Sequence, residues 1–269
     1  MKLVRERLYV RAGLAIILVF LGLSIVSYIY LPYPVLGPSA IRFEHPDSAH
    51  PFGATSIGQD ILSQWIYGSR ATLFVGFLTA IITTGIGIAV GVTAGFIRRT
   101  DEVLMRTADV VLTLPSVPLL IVIAVFFKPS LTNVAILISI LAWPAMARVL
   151  RSSVISLREL PFVEVALLSG VPRFRIMFSD LLKHLTPLIV AYALFAVIGG
   201  ILTEATLDFI GVGPINSYSW GAMLSLAESN QALLFGAWTW VVVPGLSIAI
   251  LGTGFAFVAY GLEDYYKKS

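Results

Sequence analysis

Two carboxylic acids, Glu204 and Asp208, stand four residues apart inside the apolar run ILTEATLDFIG. That spacing sets both on one face of a helix. Ionisable groups at membrane depth mark a pathway, a gate or a proton relay. Close to Gly211-Val212-Gly213-Pro214, they can equally meet solvent at the end of the run. A second cluster, EHPDSAH, offers Glu44, His45, Asp47 and His50, enough nitrogen and oxygen donors for a metal ion. Short polar loops produce such sets by chance, and prolines 46 and 51 stiffen this one, so no metal site is expected. A third stretch, FVEVALLSGVPRFRIMFSDLLKHLTP at 162–187, carries Glu164, Arg173, Arg175, Asp180, Lys183 and His184. It is too charged to cross a bilayer.

Much chemistry is excluded outright. ATP hydrolysis needs a phosphate-cradling loop ending in Gly-Lys, and none of the five lysines follows a glycine. No H-E-x-x-H or G-x-S-x-G occurs. The absence of cysteine removes disulfides and thiolate sites. The chain is therefore expected to be non-catalytic and to hold no cofactor of its own.

These residues need a frame, and composition supplies it. Of 269 residues 58% are hydrophobic and 12% charged, with mean hydropathy +0.91. A soluble domain carries roughly 25% charged residues. Membrane crossing takes about 20 apolar residues, and six segments qualify: 11–31, 70–97, 108–128, 131–150, 187–212 and 236–262. The fold expected is all-α and integral to the membrane, a single domain over 1–269. With the N-terminus inside, fifteen Lys and Arg fall in inside segments and Arg42, Arg70 and Lys128 outside. That asymmetry puts both termini and the 162–187 stretch in the cytoplasm. The 32–69 loop faces outward, ending in DILSQWIYGSR, an amphipathic helix expected to lie on the outer interface. In the second span Gly87, Gly91 and Gly95 recur every four residues, a stripe for close helix approach either within the chain or at a subunit interface.

Within 161–183 the spacing predicts two short helices. Pro161 and Pro172 suit first turns and Gly170 suits a C-terminal cap. Phe174, Met177, Phe178, Leu181 and Leu182 form the apolar face of the second helix. The result is an amphipathic elbow between spans four and five.

The elbow also resembles a known motif. E-V-A-L-L-S-G at 164–170 is similar to the E-A-A-x-x-x-G of membrane permeases of binding-protein-dependent ABC importers, matching at Glu164, Ala166 and Gly170; Val165 replaces the first alanine. HPFGATSIGQDILSQWIYGSRATLFVGF at 50–77 resembles G-T-D-x-x-G-R-D-x-x-S-R-x-x-x-G-x-R of the dipeptide, oligopeptide and nickel permeases. It keeps Gly53, Gly58, Asp60, Ser63, Gly68 and Arg70, with Thr55 and Gln59 as departures. ILTEATLDFIGVG at 201–213, WGAML at 220–224 and the VVPGLSI run at 242–248 extend the match over most of 50–265.

The resemblance implies that the elbow is a coupling helix, inserted into a cytoplasmic ATPase and moved by it. Glu164, Ala166, Gly170, Phe174 and Met177 would carry the coupling, and Glu204 and Asp208 the translocation path or gate. It implies two ATPase subunits holding ATP and Mg, a second related permease, and an extracytoplasmic binding protein docking on the 32–69 and 213–235 loops. The expected setting is a prokaryotic cell membrane. The expected solute is a di- or oligopeptide, with oligosaccharide or nickel as alternatives. The rival reading is an ion-coupled secondary transporter working through Glu204 and Asp208.

Overall fold

The computed structural model describes the backbone of residues 2–126, 130–214 and 218–268, and the side chains of 8–124, 126, 130–214 and 218–262. The Lys128-Pro129 turn expected between spans three and four lies outside these residues. Among the described residues every regular element is a helix, and residues 30–60 between α1 and α2 form a loop holding one isolated bridge, Ala54 to Asp60. Five helices are long and apolar enough to cross a membrane: α1 (Lys2–Ile29), α2 (Ile61–Phe96), α5 (Leu131–Leu157), α8 (Leu181–Phe209) with the turn before it, and α10 (Thr239–Lys268). A bent pair, α3 (Arg98–Thr113) and α4 (Ser116–Phe126), passes the same test only when taken together, as a broken sixth span or a re-entrant loop.

Helix α2 is the axis. It packs most extensively on α5, then on α8 and α1. The glycine stripe explains the first contact. A Cβ at Gly91 would sit 2.5 Å from the Ala147 carbonyl, while Gly87 faces Met146 and Gly95 faces Val154. The stripe is thus an internal seam. In lipid, where close packing rather than water expulsion holds helices together, small residues make such contact possible.

Three spans depart from their expected form. The helix of DILSQWIYGSR does not lie on the interface as a separate element; it is the first turns of α2. Ile61 and Ile66 are buried, and the Trp65 indole donates to Ser247 Oγ of α10 at 2.7 Å. Its apolar face packs on protein, not on headgroups. The third span is not one helix over 108–128. Pro115 has no N–H and forces Leu114 to an extended ψ of 133°, so α3 and α4 meet at 82°. Helix α3 starts at Arg98 and is tied to α5 by Arg151–Asp101, bidentate at 2.5 and 2.6 Å, and Arg148–Asp109 at 2.5 Å. Finally, the fifth span and the second elbow helix are continuous. Helix α7 (Arg173–Arg175) and a π-helical turn (Ile176–Asp180) run straight into α8.

The core is divided along the bundle. At the loop end, Trp220, Met223, Phe255 and Ile61 join α1, α2, α8, α9 (Trp220–Ser229) and α10. At the elbow end, Val92, Leu150, Val154, Val163, Ile176, Met177 and Leu181 join α2 and α5 to the elbow.

Candidate functional site

The elbow begins with α6 (Pro161–Leu168), Pro161 at its first turn as expected. Its end is a Schellman cap. The Val171 N–H donates to the Ala166 carbonyl at 3.0 Å and the Gly170 N–H to that of Leu167 at 3.1 Å. Gly170 takes φ +74° with open space around its missing Cβ. A side chain there would cost only backbone strain, about 1–2 kcal/mol. The motif residues Ala166 and Gly170 thus build one turn, and Val171 is packed against the elbow-end core.

Beyond the turn, the π-helical segment decides which face is buried. Ile176 and Leu181 are five apart, a spacing that a π turn and not an α turn brings to one face. Both are fully buried, with Met177 at 4% exposure and Leu185 and Leu188 continuing the face. Phe174 lies outside it, 72% exposed, its ring tilted against Phe178 at 4.9 Å. The sequence reading grouped Phe174 with Met177 on one presented face. The structure separates them: Met177 anchors the elbow to the spans, Phe174 points away. Glu164 is exposed and makes no hydrogen bond or ion pair with a described residue. Val165 and Leu168 are exposed alongside at 61% and 81%.

At the opposite end, Glu204 and Asp208 are not solvated. They are 0% and 4% exposed, enclosed where α8 meets α2 and α9. One turn before them Gly200 packs on Thr79 of α2, and Gly221 of α9 packs on Ala205 and the Asp208 Cβ. Ser219 caps α9, accepting from Ala222 N–H at 3.1 Å, while its hydroxyl donates to Asp208 Oδ2. Both Glu204 oxygens and Asp208 Oδ1 find no hydrogen-bond partner among the described residues. The sequence reading took 213–235 as loop and missed Ser219. A serine just before the WGAML run is a helix start signal and was legible.

The kept residues of the 50–77 signature shape the loop and fasten the start of α2. Gly53 and Gly58 sit at φ +75° and +77°, with Glu44 and Ala40 carbonyls where a Cβ would go. Asp60 Oδ2 caps α2 by accepting from Ser63 N–H at 2.7 Å, and Ser63 Oγ accepts from Tyr33 N–H at 3.0 Å. Gly68 lets α2 pass under Trp220. The Arg70 guanidinium donates to Ser27 at the end of α1 and lies over the Tyr28 ring at 3.8 Å.

Of the loop residues that could have held a metal, Glu44 Oε2 accepts from the Ile41 N–H and Asp47 Oδ1 from the Ala49 and His50 N–H groups. No three such side chains converge among the described residues. His50 Nδ1 bonds Asp60 Oδ1 at 2.9 Å, with the Tyr33 ring 4.5 Å from the imidazole. Burial by itself pulls the His50 pKa down, but the bond and charge of Asp60, with Glu44 beyond, raise it above 6.5. A pKa raised by folding means stability fully present below 6.5 and lost as pH climbs through the higher folded value. Proteolysis of the 38–60 loop should therefore be slower at pH 6 than at pH 8.5. In His50→Gln the rate should not change across that window; an unaltered pH dependence would remove His50 as its source.

Residues 84–268 match the family described as binding-protein-dependent transport system inner membrane component. The dipeptide transport system permease protein of Alkalihalophilus pseudofirmus is 35% identical over 256 residues, 94% of this chain and 83% of that one. A Brucella suis protein, provisionally named a peptide transport system permease, is 32% identical over 269 residues, covering 97% and 90%. A Brucella ovis protein with a similar provisional name is 31% identical over 250 residues, covering 90% and 82%. With its helical membrane bundle and capped elbow, this chain belongs to the family of inner membrane components of binding-protein-dependent transport systems, as a permease subunit of an ABC importer.

Proposed function

We propose that this subunit carries small peptides through the membrane by alternating access, driven by ATPase subunits that grip the elbow from the cytoplasm. The carrying observation is the two-sidedness of the elbow. Ile176, Met177 and Leu181 fasten it to α2, α5 and α8, while Val165, Leu168 and Phe174 stay uncovered on the far side. Exposed apolar clusters of this kind mark protein contacts, and a lever needs one face fixed to the load and one to the motor. Neither ATP nor Mg is held by this chain; both belong to the ATPases. Peptide cargo is supported by the names of the relatives, with oligosaccharide or nickel as alternatives within the same class. A second permease would complete the pathway, and an extracytoplasmic binding protein would deliver solute to the 32–69 and 213–235 segments. Both termini would then be cytoplasmic.

Glu204 and Asp208 serve as the gate in this reading. An unpaired buried polar group costs about 1–3 kcal/mol, so the closed packing of α8 on α2 and α9 is held under tension. Opening lets water reach the carboxyls and releases it, a bistable element that ATP binding can bias. The test is purification of the chain from its native membrane in mild detergent. Two ATPases and a second permease should come with it. A chain that emerges alone, and transports peptide on an ion gradient without ATP, would replace this reading with the secondary transporter.

A further inference from the structure

Between the end of α2, the start of α3 and the elbow lies a cavity of about 540 Å³, within the roughly 300–1,000 Å³ of small-molecule sites. Four arginines line it: Arg98 and Arg99 from α3, Arg158 following α5, and Arg173 from the elbow. Glu159 is the single acidic residue in the lining. Arg158 donates to the Gly95 carbonyl at 2.9 Å. Arg98, Arg99 and Arg173 are exposed and make no ion pair among the described residues. Three like charges facing one cavity repel each other unless an anion joins them.

Two further observations sharpen the ligand. Arg98 and Arg99 form the first turn of α3, whose N-terminus has no side-chain cap. The positive end of the helix dipole there favours an anion, in a place where arginines are otherwise disfavoured. The cavity also opens at the depth where the apolar run of α2 stops, and Phe96 and Ile97 form its wall beside the arginines. Its floor on the elbow is Val163, 1% exposed, with Leu167 beside it. Val163 belongs to the elbow-end core, so the cavity abuts the side of the elbow that packs on the spans. A basic pocket with an apolar wall at the end of a membrane span matches the phosphodiester and glycerol of an anionic lipid.

We propose that this cavity binds the headgroup of an anionic glycerophospholipid. The phosphate lies among Arg98, Arg99 and Arg173, and the glycerol and first acyl carbons lie along Phe96 and Ile97. One lipid so held would join α3 to the elbow.

The test is native mass spectrometry of the full chain in detergent, titrated with short-chain phosphatidylglycerol or phosphatidylcholine. Phosphatidylglycerol should bind at least about tenfold more tightly. Each arginine near a membrane surface accounts for about a fivefold change, so Arg99→Gln with Arg173→Gln should weaken it by about 25-fold. Both side chains are exposed, so the melting temperature should hold, and Arg106→Gln, exposed and paired with Glu102, should bind as the parent does. Equal binding of the two lipids, or a double variant that binds normally, would overturn the proposal. Displacement of the lipid by equimolar inorganic phosphate would also overturn it, by showing a site for free phosphate. A double variant that keeps the lipid but loses a co-purifying ATPase would reassign the arginines to protein docking.

Discussion

Phe174→Asp should leave the chain folded and inserted while solute uptake falls at least about thirtyfold. The side chain is 72% exposed and touches mainly Phe178, so its removal leaves no cavity among the spans. An aromatic anchor at a protein interface is worth about 2 kcal/mol or more, about thirtyfold in affinity. A carboxylate in its place adds the cost of burying an unpaired charge against the ATPase. Met177→Asp provides the contrast. Met177 is 4% exposed within the elbow-end core, so the same substitution should unfold the elbow and lower the melting temperature sharply. Measuring ATP hydrolysis, uptake and melting together separates the two. If both variants fell equally in melting temperature, Phe174 would be structural and the exposed face would lose its assigned role.

Glu204→Met should raise the melting temperature while lowering transport at least about tenfold. A carboxyl that is fully enclosed, with both oxygens lacking partners among the described residues, destabilises the conformation that encloses it. An apolar side chain of similar length removes that penalty, about 1–3 kcal/mol, and at this chain length each kcal/mol moves the melting temperature by about 2–4 °C. On the proposed gate role the stabilised form is the closed one, and the gate would open less often. Asp208→Asn should act more weakly. Its Oδ2 already accepts from Ser219, and an amide can preserve that bond. A Glu204→Met protein that melted lower and transported normally would make Glu204 a structural group and end the gate reading.

Residue order alone determined a good deal. Apolar length and the placement of charge announced a helical membrane bundle, because a backbone in lipid must satisfy its own hydrogen bonds. The elbow was legible too. Pro161 and Gly170 act through local backbone preferences that do not depend on distant partners, and the structure has both where the spacing put them. Elements decided by contact across the chain were not legible. DILSQWIYGSR carries the periodicity of an interfacial helix, and only Ser247, 182 residues after Trp65, turns its apolar face to protein. An α-helical wheel puts Phe174 with Met177, whereas the π-helical turn shifts the register and buries Ile176 beside Met177, leaving Phe174 outside.

The same holds for the carboxyl pair and the signature at 50–77. Four-residue spacing sets Glu204 and Asp208 on one face, but whether that face meets water depends on α2 and on α9, which Ser219 starts and Gly221 brings close. Likewise His50 read as a possible metal donor of the loop and Asp60 as the start of DILSQWIYGSR, until the fold brings them to 2.9 Å of each other with Asp60 capping α2. Composition and local preference reveal helices and turns, since those energies are summed over neighbours in the chain. Burial, ion pairing and the face a helix presents are summed over neighbours in space, and for this protein only the packed bundle supplies them.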